Sequence, residues 1–145
     1  MIRNLRHTGI VVADLDQALD FYVGQLGFEI TRRMDEGGAY LCEILGISDV
    51  RATTVKLSVP KGGQGGMVEL LNFPDHQAAS RSFELISQGP THIALTVSDL
   101  DGLYSRLIDY GISFKSSPKI SPDGAVKIAF CQAPDGTFVE LVEDL

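Results

Sequence analysis

The 145-residue sequence predicts an α+β fold, one domain built from two tandem βαβββ modules. Three observations carry that prediction. The chain repeats itself internally, each half shows strand-type alternation around one segment of helical period, and the length suits two small halves sharing a core rather than two domains. The repeat is direct. His7-Thr8-Gly9-Ile10-Val11-Val12-Ala13-Asp14-Leu15-Asp16 aligns with His92-Ile93-Ala94-Leu95-Thr96-Val97-Ser98-Asp99-Leu100-Asp101, matching at His, Val, Asp, Leu and Asp. Met67-Val68-Glu69-Leu70-Leu71 likewise matches Phe138-Val139-Glu140-Leu141-Val142. Module one is expected over about 1–73, a connector over 74–90 and module two over about 91–145.

Each element follows from period and punctuation. Thr8, Ile10 and Val12 alternate with His7, Gly9 and Val11, as in a half-buried strand. Asp14 stands at a helix N-cap position with Gln17 three residues on, a capping-box spacing. Leu15, Ala18, Leu19, Tyr22, Val23 and Leu26 then recur at helical spacing, and Gly27 stops the helix. Strands are expected at Phe28–Arg32, Thr53–Val59 and Met67–Asn72. A short helix is expected within Gly37–Gly46, and a loop at Gly62–Gly66. In module two Asp99 is the cap, Leu100, Leu103, Leu107 and Ile108 the stripe, and Gly111 the stop. Strands follow at Ser113–Ser116, Val126–Gln132 and Thr137–Val142, the last two joined by an Ala133-Pro134-Asp135-Gly136 turn. The connector reads as a short helix or a mobile arm.

Composition narrows the function. Hydrophobic residues make up 44% and charged residues 21%, which supports a packed core and argues against disorder. The net charge of −7 disfavours nucleic-acid and anionic-membrane partners, which need a basic face. Cys42 and Cys131 form no CxxC pair, so neither a disulfide framework nor a thiolate zinc site is suggested, and Cys131 reads as a small core filler. The start lacks a signal peptide's apolar stretch, and no run is long enough to span a bilayer. A cytoplasmic protein is expected.

Strand parity sets the direction of the polar residues. Ile10 and Val12 face the helix, leaving His7, Gly9 and Val11 opposite, with Gly9 giving room beside His7. The same parity turns His92 away from Ile93, Leu95 and Val97. Val68 and Leu70 are core residues, so Glu69 points away; Val139 and Leu141 do the same for Glu140. Taken singly, each His is an ordinary strand-start residue and each Glu an edge residue. Together, under a repeat, His7, Glu69, His92 and Glu140 make an N2O2 ligand set suited to nickel, zinc, cobalt, manganese or iron.

These strings resemble the vicinal-oxygen-chelate superfamily, the glyoxalase I, bleomycin resistance and dioxygenase group, over nearly the whole chain. The carriers are His7-x-x-Ile10-x-Val12-x-Asp14-Leu15, Ala18-Leu19-Asp20-Phe21-Tyr22, Leu26-Gly27-Phe28, His92-Ile93-Ala94-Leu95 and Pro134-Asp135-Gly136-Thr137-Phe138-Val139-Glu140-Leu141-Val142. The resemblance implies paired βαβββ modules curling around a divalent metal, with metal contacts at His7, Glu69, His92 and Glu140. The full His-Glu-His-Glu pattern is most similar to glyoxalase I. It implies a metal-dependent lactoylglutathione lyase type of enzyme, moving a proton beside a metal-chelated carbonyl through an enediolate. The alternative is an epimerase of methylmalonyl-CoA or cyclitol type. Further alternatives are an extradiol dioxygenase or a metal-free protein that sequesters an antibiotic.

Glu140 is expected as the base, with Glu69 the second candidate, since internal symmetry does not separate them. The expected partners are a small oxygenated substrate and a second copy of the chain in a homodimer. Arg32 or Arg33 reads as a grip on substrate carboxylates or as a solvated edge. Glu43 reads as a second proton carrier or as part of a plain surface helix. Tyr40, Met67, Phe130 and Phe138 line a pocket or pack the core. His76 is expected to be solvated.

Overall fold

In the computed structural model, residues 1–60, 65–76 and 84–145 are described. The chain divides into two compact units, Met1–Ser80 and Arg81–Leu145. The first runs β1 (His7–Val11), α1 (Leu15–Leu19), a π-helical segment (Asp20–Gln25), β2 (Glu29–Glu36), α2 (Ala39–Leu45), β3 (Ala52–Ser58) and β4 (Met67–Asn72). The second runs β5 (His92–Thr96), α3 (Leu100–Asp109), β6 (Lys119–Ile120), β7 (Val126–Gln132) and β8 (Phe138–Asp144). Each unit is therefore βαβββ, with α2 inserted in the first. The sheets are ordered β1-β4-β3-β2 and β5-β8-β7-β6, each with one parallel pair and an antiparallel meander.

The first helix starts where Asp14 accepts a hydrogen bond from the Gln17 backbone N–H at 2.9 Å. It then widens into the π-helical segment, closed by a bond from Leu26 N–H to the Phe21 carbonyl at 3.0 Å. That widening carries two neighbouring aromatics into the core, since Phe21 and Tyr22 are both fully buried. Tyr22 meets Phe21 and Phe28 edge-on, with ring centroids 5.0 and 6.4 Å apart. A regular 3.6-residue stripe does not anticipate Phe21, because the extra residue per turn arises from packing rather than from local preference.

In the second unit Leu100 and Leu107 are fully buried, whereas Ile108 is 43% exposed. The expected place of Ile108 in the stripe is thus corrected. Tyr104 packs there instead, edge-on to Phe114 with centroids 4.7 Å apart. The strand expected at Ser113–Ser116 reduces to a single bridge, Phe114 to Cys131, and the module's fourth strand is the two-residue β6 further on. Pro118 lacks an N–H to donate, which keeps this edge short. The Ala133–Gly136 turn closes as expected, with Gly136 N–H on the Ala133 carbonyl at 2.9 Å.

The repeat extends to the polar ties that fix each parallel pair. Asn72, ending β4, donates to the carbonyls of Val12 and Ala13 at 3.0 and 3.1 Å. Its repeat partner Glu143 on β8 accepts from the N–H groups of Asp99 and Leu100 at 2.8 and 3.3 Å. An amide and a carboxylate thus secure the same strand-to-helix corner through opposite hydrogen-bond polarity. The α2 helix covers a small cluster of Leu41, Val50 and Ala52, and Glu43 and Tyr40 on it are exposed. The expected Gly62–Gly66 loop and 74–90 connector fall partly outside the described residues. No helix among the described residues is long and apolar enough to cross a membrane.

Candidate functional site

Burial alternates along the four key strands. Ile10, Val68, Leu70, Val139 and Leu141 are buried, while Gly9 and Val11 are exposed and Glu69 and Glu140 are half-buried. His7, Glu69, His92 and Glu140 therefore all leave the helix-packed face. In the first unit Gly9 pairs with Glu69, and His7, one step earlier on the same face, reaches across the parallel pair. His7 Nε2 lies 3.2 Å from Glu69 Oε2. In the second unit Ala94 pairs with Glu140, and His92 Nε2 lies 3.3 Å from Glu140 Oε2. A Cβ on Gly9 would meet Leu71 Cδ1 at 3.2 Å, so the room Gly9 provides serves Leu71 rather than His7.

Each unit thus builds one His–Glu pair by the same rule. Two ligands each about 2.1 Å from one cation stand roughly 3.0–3.4 Å apart, so both pairs have the spacing of adjacent ligands as well as that of a hydrogen bond. Both histidines turn Nε2 toward the carboxylate. Behind the ring, Thr91 Oγ1 lies 2.9 Å from His92 Nδ1, the kind of outer contact that holds a ligating imidazole. His7 Nδ1 is buried and has no partner among the described residues. The donor types and spacing fit a divalent ion. Among the described residues, no group of three or more His, Cys, Asp or Glu gathers as a cation site.

The strand next to each glutamate breaks the symmetry. Lys56 on β3 is the register partner of Glu69, and its Nζ lies 3.6 Å from Glu69 Oε1. The same place on β7 belongs to Phe130, which pairs with Glu140 and stands edge-on to the His92 ring at 5.3 Å. Phe138 is buried on the same face beneath Lys115, whose ammonium sits 4.7 Å from its ring centre. Of the other expected lining residues, Met67 and Phe130 are half-buried and Tyr40 is 75% exposed. Lys56 was not anticipated, though a signal exists: it is the one charge in Ala52–Ser58, alternating with Val55 and Leu57.

The remaining candidates lie elsewhere. His76 is exposed in a turn after β4, beside Asp75, which forms a two-pronged ion pair with Arg51 at 2.6 and 2.7 Å. Hydrogen bonding from Arg51 holds the Asp75 carboxyl below its ordinary range. Cys131 is buried, and that burial pushes its thiol up to about 12. Both cysteines are free.

Comparison with known proteins agrees with this architecture. The Glyoxalase/Bleomycin resistance protein/Dioxygenase superfamily profile matches residues 4–141. A probable lactoylglutathione lyase of Synechocystis sp. is 29% identical over 140 residues, covering 96% of this chain and 94% of that protein. The crystal structure of a glyoxalase family protein from Bacillus cereus superposes with a TM-score of 0.89 at 20% identity, covering 100% of this chain and 96% of the other. The trypanothione-dependent glyoxalase I of Leishmania major superposes at 0.68 and 23% identity, covering 98% and 87%. With a profile match over almost its whole length and a repeated His–Glu strand pair in each βαβββ unit, the chain belongs to the Glyoxalase/Bleomycin resistance protein/Dioxygenase superfamily.

Proposed function

We propose that this chain is a divalent-metal-dependent enzyme of the lactoylglutathione lyase type, moving a proton at the carbon beside a carbonyl. The observation that carries the reading is the twin His–Glu pair, 3.2 Å apart in one unit and 3.3 Å in the other. His7 with Glu69, and by the repeat His92 with Glu140, are the residues that would hold a nickel, zinc, cobalt, manganese or iron ion. Bound there, such an ion supplies Lewis acidity to a substrate carbonyl oxygen and makes the neighbouring C–H more acidic. Relatives named lactoylglutathione lyase support the same chemistry.

Glu140 is the residue we assign as base. A neighbouring ammonium favours the ionised carboxylate and so weakens it as a proton acceptor. Glu69 has the Lys56 ammonium 3.6 Å away, whereas Glu140 has the Phe130 ring at the corresponding register. Glu69 then serves as a standing ligand and Glu140 as the group that moves the proton. His92, held behind by Thr91, orients that carboxylate. The reading includes a homodimer and a cytoplasmic location; light scattering of the purified chain tests the first.

Metal analysis of purified protein, followed by assay with the methylglyoxal–glutathione hemithioacetal, tests the proposal. Stoichiometric metal and turnover are expected, and Glu140→Gln should abolish turnover while retaining metal. Turnover of methylmalonyl-CoA in place of the hemithioacetal would replace the lyase reading with an epimerase. Oxygen uptake with catechols and iron(II) would replace it with a dioxygenase. Ligand binding with no stoichiometric metal would replace it with a sequestering protein.

A further inference from the structure

The site face of the first sheet carries a cationic row that the proposed proton transfer does not use. Across the sheet the register runs Gly9, Glu69, Lys56, Arg32, so the last three side chains stand on one face of adjacent strands. Arg32 owes its place to a β-bulge. Ile30 pairs with Leu57 and Arg32 with Lys56, leaving Thr31 as the extra residue. Thr31 Oγ1 donates to the Lys56 carbonyl at 3.1 Å, which pins the bulge to the strand it faces. In a regular pairing Thr31 would oppose Lys56 and Arg32 would oppose Val55, on the core side. The bulge re-aims the guanidinium to the site face and leaves Arg33 opposite Val55.

Both cations are available. Arg32 is exposed and its guanidinium forms no hydrogen bond or ion pair among the described residues. Lys56 Nζ stands 3.6 Å from Glu69 Oε1, beyond the 2.7–3.2 Å typical of an N–H···O bond, so that contact is ionic rather than a committed hydrogen bond. The chain as a whole carries −7, so two adjacent cations beside one carboxylate are a local reversal of sign. We propose that Arg32 and Lys56 form an oxyanion-recognition row, selecting substrates that carry a carboxylate or phosphate group next to the carbonyl handled at Glu69. Strands are spaced about 4.8 Å apart, which places that oxyanion roughly 5–10 Å from the Glu69 row. The guanidinium supplies a two-pronged donor and the ammonium a point charge, a combination suited to a group with several oxygens. This rests on the site assignment above only for what lies beside the oxyanion.

The test uses the full-length chain without metal. Titration of ¹⁵N-labelled protein with inorganic phosphate, and separately with acetate, should shift the amides of residues 31–32 and 55–57 most. The tighter probe identifies which oxyanion the row is built for. Arg32→Gln should weaken phosphate binding about tenfold, Lys56→Met comparably, and Lys56→Arg should recover most of it. Arg33→Gln, one residue along and on the other face, should leave it unchanged. Equal phosphate affinity in Arg32→Gln and native protein overturns the row, as do amide shifts concentrated elsewhere. Nickel binding measured in parallel separates the two proposals. Native protein that binds phosphate through Arg32 but holds no nickel refutes the metal enzyme and keeps the row. Protein that holds nickel but does not distinguish Arg32→Gln from Arg33→Gln does the reverse.

Discussion

Glu140 and Leu141 are chain neighbours on opposite faces of β8, so their substitutions should fail in opposite ways. Leu141 is fully buried. Truncation to Ala removes three heavy atoms from a packed interior, and such changes cost about 2–5 kcal/mol in lost transfer energy and residual cavity. Because β7 and β8 are paired along the whole of β7, collapse around the gap is restricted, and we expect the upper half of that range. Glu140→Gln keeps the shape and changes one polar contact at 3.3 Å to His92, in which the two side chains are 37% (His92) and 19% (Glu140) exposed. Gln retains an oxygen that can accept from His92 at a partly solvated site, so the variant should stay within about 1 kcal/mol of native. Urea unfolding followed by circular dichroism measures both, with the slope unchanged if the transition stays two-state. Hemithioacetal turnover measures the other half, being lost in Glu140→Gln and kept by the folded fraction of Leu141→Ala. Equal destabilisation of the two variants would refute the parity that underlies the whole site, because it would place Glu140 in the core. Repeat partners Leu70 and Glu69 should show the same contrast.

Other consequences follow from single contacts. Asp14→Ala removes the acceptor for the Gln17 N–H and should cost about 1 kcal/mol, read by urea unfolding. Burial raises the Glu143 carboxyl, but the Lys127 ammonium and the N–H groups of Leu100 and Asp99 overrule it, holding the carboxyl below its ordinary range. Its contribution is therefore present above the unfolded-state value and is lost as pH falls through the lower folded value. Protection of the Asp99 and Leu100 amides, taken relative to their intrinsic exchange rates, should fall as acidification protonates Glu143, and unchanged protection would exclude the cap. Cys131, with its thiol pushed up to about 12, should resist a thiol reagent at pH 8 in folded protein, while half-buried Cys42 reacts first. Equal labelling rates would contradict that ordering. Chelation should abolish turnover, and restored metal should recover it; turnover that survives exhaustive chelation would contradict a metal-dependent step.

Much of the fold was legible because its signals are local. The alternation at His7–Val12 and His92–Val97 needs only the two-residue period of a strand, and it places both histidines away from the helix. The caps at Asp14 and Asp99 are short-range hydrogen bonds and were readable as such. Where the local signal is weak, expectation and structure part. Ser113–Ser116 has strand-like residues but only one bridge, since pairing depends on a partner distant in sequence. Ile108 fits the helical period, yet Tyr104 takes the packing place because Phe114 lies opposite it.

By itself the sequence determined the duplicated βαβββ plan and, within each unit, the turning of its His and Glu (His7 and Glu69, His92 and Glu140) away from the helix-packed face, because repeat and period are properties of short stretches. Only the tertiary structure decided what stands beside those residues. Register set Lys56 against Glu69 and Phe130 against Glu140, giving one repeat an ammonium and the other a ring. A one-residue bulge then chose between two adjacent arginines and turned Arg32, not Arg33, onto the site face. Cross-strand register is settled by turns, bulges and packing far apart in the chain, and one residue of slip moves a side chain to the opposite face.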